Sequence, residues 1–290
     1  MSLSETIKTK DFLVLAEMET PKGVDIADFV EGARHLKGRV DAVLIPDMDY
    51  AVLRLSALAG AVVLKEQGLS SIVQFCCRDR NRLALQADLL GAHVLGIPNV
   101  MAVAGRPVET GDHLEARPVN DLDVDGFLKA ISAMSQGRDL AGKELRGNPR
   151  FCSGVRLEPW VDSAQAKVRL AEARAWVENG AAFIIAPPVF NLDDFSGLMA
   201  QAGDLGAPVI ATVMLLKSVG MARYLNQNLP GVNISEATIT RIRQASDRPA
   251  ECVKIAAETI TGLKNLCGGV LLVTLGWENR LSDILSEAGY

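Results

Sequence analysis

Short apolar runs recur along the chain, separated by segments in which apolar residues return every three or four positions. The runs at 12–19, 42–47, 71–77, 100–105, 152–158, 182–187, 208–214 and 269–275 read as buried strands. Helical patterns at 26–36, 82–91, 161–179, 192–202 and 252–266 fall between them, with Gly91 and Gly180 in helix-stop positions. This alternation predicts parallel strands joined by crossover helices, and eight such units in 290 residues match the size of a closed barrel. The expected fold class is α/β, a (β/α)8 TIM barrel forming a single domain over 1–290. Residues 1–10 are expected to be an N-terminal extension, with Met1-Ser2-Leu3 as a cloning remnant. The rival is an open doubly wound sheet, which often carries a Gly-rich phosphate turn after its first strand. Here the first strand runs into Thr20-Pro21-Lys22-Gly23, and no GxGxxG follows any strand.

Alternation within the first strand assigns its faces. Phe12, Val14, Ala16 and Met18 share the side suited to packing under helices, whereas Leu13, Leu15, Glu17 and Glu19 share the other. Glu17 and Glu19 are therefore expected at the C-terminal mouth of the lumen. Two carboxylates close together in a partly dry site repel, which raises one pKa and suits a general acid. The alternative is a structural ion pair with Arg78 or Arg156, which also lie near strand ends.

Charge and composition narrow the partners. A net charge of -5 gives no general attraction to nucleic acid or to an anionic membrane surface. Apolar runs such as 269–275 are far too short to cross a bilayer, and a cytoplasmic location is expected. Five cysteines without CxxC spacing read as reduced, mostly buried thiols, and with three histidines no metal site is expected.

The densest polar chemistry is Cys77-Arg78-Asp79-Arg80-Asn81-Arg82, where an apolar run gives way to a Leu/Ala-rich helix. Other strand ends add Asp47, Gln74, Arg106, Arg156 and Glu158 to the rim on which this fold gathers its catalytic groups. Each is weak evidence alone, since Asp or Arg beyond a strand is often a cap or a solvated loop residue.

In order along the chain, Glu17-Met18-Glu19-Thr20-Pro21-Lys22, the segment from Cys77 to Arg82, Gly96-Ile97-Pro98-Asn99, Gly111-Asp112-His113, the segment from Leu216 to Arg223 and Gly276-Trp277-Glu278 resemble the methylenetetrahydrofolate reductase family. The resemblance covers nearly the whole chain and is closest to the short enzymes of bacterial one-carbon metabolism. It implies a flavoprotein barrel, FAD favoured over FMN, that passes hydride from NAD(P)H through the flavin to 5,10-methylenetetrahydrofolate, giving 5-methyltetrahydrofolate. Glu17 matches the family's acid, which helps open the folate's five-membered ring. Asp47, Gln74, Cys77, Asp79, Arg80, Arg82, Gly105, Arg106, His113, Arg156 and Glu158 would contact the cofactor, and Glu19, Pro187, Phe190, Lys217, Arg223 and Trp277 the folate. A homo-oligomer or a small electron-transfer subunit is compatible with this reading.

The chain also departs from the family pattern. Relatives often carry Gly-Asp where this chain has Gly105-Arg106, a Gln where it has Pro187, a Lys where it has Trp176 and a Thr where it has Pro46. Proline supplies no side-chain hydrogen bond for a pterin. Two further readings follow: a barrel that binds pterins without flavin and transfers a methyl group, and a catalytically degenerate subunit of a multi-protein reductase.

Overall fold

The computed structural model describes residues 2–290. Eight parallel strands close a barrel in sequence order: β1 (Leu13–Glu17), β2 (Ala42–Ile45), β3 (Ser71–Cys76), β4 (Asn99–Val103), β5 (Cys152–Arg156), β6 (Phe183–Pro188), β7 (Val209–Met214) and β8 (Gly269–Val273). The seam pairs Leu13 with Gly269 and Glu17 with Val273, so Glu17 stands at the C-terminal rim beside the end of β8. The strand count, order and closure are those of a (β/α)8 barrel, as the alternating pattern predicts.

Helices α1 (Leu3–Thr9), α2 (Ala27–Leu36), α3 (Ala57–Glu66), α4 (Arg82–Val94), α5 (Val124–Ser135) and α6 (Ser163–Glu178) precede or follow the first five strands. The second half carries α7 (Leu192–Ala202), α8 (Val219–Asn228), α9 (Glu236–Gln244), α10 (Arg248–Leu263) and α11 (Leu281–Glu287). Most starts are set by side-chain caps: Asn81 accepts from the backbone of Leu83 and Ala84 at α4, and Asp162, Ser218 and Asp247 cap α6, α8 and α10. Helix α4 continues through Gly91 and stops at Gly96, whose φ of 70° marks the left-handed turn. Burial of Leu85, Leu89 and Ala92 on one face holds the helix together across Gly91, overriding its weak propensity. The 1–10 extension contains α1, which sets Leu3 and Ile7 against the lumenal cluster at the N-terminal end.

Two cores share the sheet between them. Phe12, Val14, Ala16 and Met18 pack under the helices, while Leu13 and Leu15 join Leu44, Met101, Phe183, Ile185 and Leu271 inside the lumen, the assignment that alternation gives. Phe183 fills the space left by Gly154, where an added Cβ would overlap its ring. Gly154→Ala is expected to cost about 1–3 kcal/mol through overpacking, read as a lowered denaturation midpoint with unchanged slope.

Candidate functional site

Glu17 ends β1 with its carboxylate turned into the mouth and 14% of its side chain exposed. Arg156, at the end of β5 across the barrel, donates from Nη2 to Glu17 Oε2 at 2.9 Å and from Nη1 to Asp49 Oδ2 at 3.1 Å. Gln74 donates to the same Asp49 oxygen at 3.3 Å and accepts from the backbone of Asp47. Asp49 Oδ1 is buried without a hydrogen-bond partner. Burial pushes the Glu17 carboxyl above its ordinary value, Arg156 pulls it down, and Asp49 adds to the rise. Glu19 contributes least, so burial rather than the expected repulsion between Glu17 and Glu19 is the main cause. The ion pair with Arg156 thus coexists with a burial that raises the Glu17 carboxyl above its ordinary value.

Asp49 comes from the segment between β2 and α3, which folds inward over the mouth. Met48 (φ 52°) and Ala51 (φ 58°) hold left-handed backbone on either side of Asp49 and Tyr50. Arg78 fixes this turn. Only 4% exposed, its guanidinium donates to the carbonyls of Met48, Asp49 and Arg106 and to both carboxylate oxygens of Asp79. The loop after β4 closes over it: Arg106 N donates to the Asp49 carbonyl, and the Arg106 guanidinium lies 4.7 Å above the Tyr50 ring. Asp112 N donates to the Ala51 carbonyl, an approach that an added Cβ at Gly111 would block. Asp49, Tyr50 and the stapling role of Arg78 were not evident from strand ends alone; the pair of acids flanking Met48 directly after a strand was the available signal.

The other rim arginines are engaged within the fold. Arg80 contacts Asp47 at 2.5 Å and Asp88 at 2.8 Å, and Arg82 grips both carboxylate oxygens of Asp121. Asp47 also accepts from the backbone of Cys76, and its carboxyl is raised chiefly by burial. Cys77 faces the helices, and burial pushes its thiol up to about 12. Gly105, at φ 89°, packs so close to Cys76 that a side chain would overlap the sulfur. His113 sits exposed against Asp112 in the capping loop, and Glu158 is exposed beyond β5.

A cleft of about 830 Å³ opens between β1, α2 and the turn after β8. Glu17, Glu19 and Thr20 line its floor, Phe29 and Gly32 one wall, and Trp277 the other. Lys217 Nζ lies 5.1 Å from the Trp277 ring centroid and donates to the Leu275 carbonyl, so it braces the wall. Arg54 holds Glu19 and the Thr20 carbonyl. Of the expected folate contacts, Glu19 and Trp277 therefore meet Glu17 in one cavity. Pro187 and Phe190 line a separate pocket of about 100 Å³ beyond β6, and Arg223 is exposed on α8.

These features define a parallel-barrel protein with an acid at its C-terminal mouth and an aromatic-walled cleft beside it. A family model described as methylenetetrahydrofolate reductase matches residues 2–289, and the chain belongs to that family. No curated protein matches the sequence. Among solved structures, an uncharacterized protein from Clostridium thermocellum that binds two copies of 5-methyl-5,6,7,8-tetrahydrofolic acid superposes with a TM-score of 0.65 at 13% identity, covering 99% of this chain and 97% of that one. A riboflavin lyase with modified FMN and riboflavin gives 0.58 at 10% identity, covering 96% and 90%. A 2,3-dimethylmalate lyase gives 0.56 at 11%, covering 99% and 81%. At these identities the likeness is one of fold.

The family implies a flavin, but the residues at this mouth do not fit one as folded. Arg156, Asp49 and Gln74 join across the mouth in one largely buried network, and Arg78, Arg80 and Arg82 are bonded to carboxylates or carbonyls of the same chain. A phosphate or a pyrimidine edge would have to displace those partners.

Proposed function

We propose that this protein binds a reduced folate with its pteridine in the cleft beside Glu17, and that Glu17 delivers a proton to it. What carries the proposal is a largely buried acid at the edge of a cleft with an aromatic wall, in a chain of the methylenetetrahydrofolate reductase family. The folate bound by the Clostridium thermocellum protein supports the ligand class. Stacking on Trp277 would hold the planar ring, with the carboxyls of Glu17 and Glu19 facing its nitrogen-bearing edge. With 5,10-methylenetetrahydrofolate bound, protonation of N10 by Glu17 lets the methylene–N10 bond break toward N10 and leaves the iminium on N5. Arg156 then stabilises the Glu17 carboxylate so formed.

Reduction of that iminium by a flavin charged from NAD(P)H is the finer reading, favoured by the family match and opposed by the closed mouth. The experiment is a titration with 5-methyltetrahydrofolate followed by tryptophan fluorescence, on protein incubated with FAD or FMN and desalted. Saturable quenching that Trp277→Leu abolishes, in protein without flavin absorbance, is the expected result. Stoichiometric flavin would restore the reductase reading, and absence of any folate response would overturn the proposal.

A further inference from the structure

The charges lining the cleft bear on which folates it accepts. Besides Glu17, four carboxylates, those of Glu19, Asp28, Glu31 and Glu278, line it against the guanidinium groups of Arg54 and Arg280 and the imidazole of His35. Neither guanidinium is free: Arg54 is bonded to Glu19, and Arg280 to Asp283. Glu17 is paired with Arg156, and Glu31 is faced by Arg34 at 2.8 Å and by His35 Nε2 at 3.7 Å, so His35 too is engaged. Lys217, the cation expected to meet a folate tail, is turned to the Leu275 carbonyl behind Trp277. The charges are also arranged in depth. Glu17 lies at the floor, whereas Asp28 and Glu31 are exposed on α2 at the edge of the cleft. Asp28 stands in the first turn of that helix, which offsets the attraction its N-terminus would have for an anion.

Folates carry one carboxylate-bearing glutamate or a γ-linked chain of them, each added unit bringing one more negative charge. Resting on the proposed folate site, we infer that the cleft recognises the pteridine head and selects against long polyglutamate tails, so that its ligand class is the short-tailed folates. Each tail carboxylate meets like charge at the rim and finds no uncommitted cation among the residues that line the cleft. Such contacts are long-range and exposed, so their effect depends on ionic strength.

The test compares 5-methyltetrahydrofolate as monoglutamate and as pentaglutamate by calorimetry on the full chain. At low salt the pentaglutamate is expected to bind more weakly by about threefold or more, the gap closing near 1 M salt, where the screening length falls to about 3 Å. Glu31→Lys, and Asp28→Lys with Glu31→Lys, should invert the order in favour of the pentaglutamate. Both positions are exposed on α2, and an unchanged urea denaturation midpoint would show that the fold is intact. A wild-type protein that binds the pentaglutamate more tightly would overturn the inference while leaving the folate site standing. Failure of both ligands to bind would remove the site and the inference together.

Discussion

Arg78→Met is expected to destabilise the protein by about 3–5 kcal/mol, the cost of leaving buried partners without their charge. The side chain is 4% exposed and its guanidinium donates to three backbone carbonyls and both oxygens of one carboxylate. Methionine keeps the length and part of the volume but supplies no donor. The carbonyls of Met48, Asp49 and Arg106 would lose their charged partner in the closed cap, and Asp79 would lose its ion pair. Arg78→Lys tests the geometry, since one ammonium cannot reach five acceptors in a planar fork. It should fall between wild type and Met. Urea denaturation reads both, and a loss below about 1 kcal/mol for Met, the range of exposed pairs, would show that the cap does not depend on this staple.

Glu17→Gln is expected to slow the opening of bound 5,10-methylenetetrahydrofolate to its N5 iminium, read as exchange of the methylene carbon with labelled formaldehyde, by about 100- to 10,000-fold, the range for removing a general acid, with folate affinity changed little. The amide keeps the shape of the carboxyl and can still meet Arg156, but it has no proton of suitable acidity to give. The pH dependence follows from the direction of the shift. Because burial raises the Glu17 carboxyl, its protonated form persists to higher pH than in the unfolded chain, and proton delivery falls as pH rises through the folded value. For stability, a raised carboxyl contributes fully below its unfolded value near 4.5 and loses that contribution as pH rises toward the folded one. The stability of wild type relative to Glu17→Gln should therefore decline from acid pH toward neutrality. A difference that is flat with pH, or that grows, would mean that Arg156 keeps Glu17 ionised throughout.

The parts of this molecule that obey a period were readable from its sequence. Two-residue alternation set Leu13, Leu15 and Glu17 inside and Val14 and Ala16 outside, and the strand–helix rhythm fixed the barrel and its closed order. Glu17 was legible because a charged residue at the end of an otherwise apolar lumenal face can only reach the mouth. Arg156 was legible as one of two candidate partners, and the structure joins it to Glu17. Asp49 and Tyr50 were not. They lie in an irregular segment whose inward fold depends on left-handed backbone at Met48 and Ala51, residues that give no signal for it, and on Arg78, thirty positions downstream of Met48. The arginine-rich segment shows the converse limit. Its residue types suited phosphate contacts, yet their partners proved to be Asp47, Asp79, Asp88 and Asp121, and Asn81 is a helix cap.

The departures at Arg106 and Pro187 also acquire physical meaning. Arg106 lies over Tyr50 and ties the two capping loops together through its backbone. Pro187 borders a small pocket apart from the cleft beside Glu17. Arg156, Glu17, Asp49 and Gln74 meet across the mouth, and a cleft of about 830 Å³ lies to the side, between β1, α2 and the turn after β8.

The most direct test is a crystal structure of the protein soaked with 5-methyltetrahydrofolate. The pteridine is expected on Trp277, with a ring nitrogen or its amino group within hydrogen-bond distance of Glu17 or Glu19 and the glutamate leading out past α2. Density for the pteridine on the barrel axis, with Asp49 displaced from Arg156, or in the pocket beyond β6, would contradict the account.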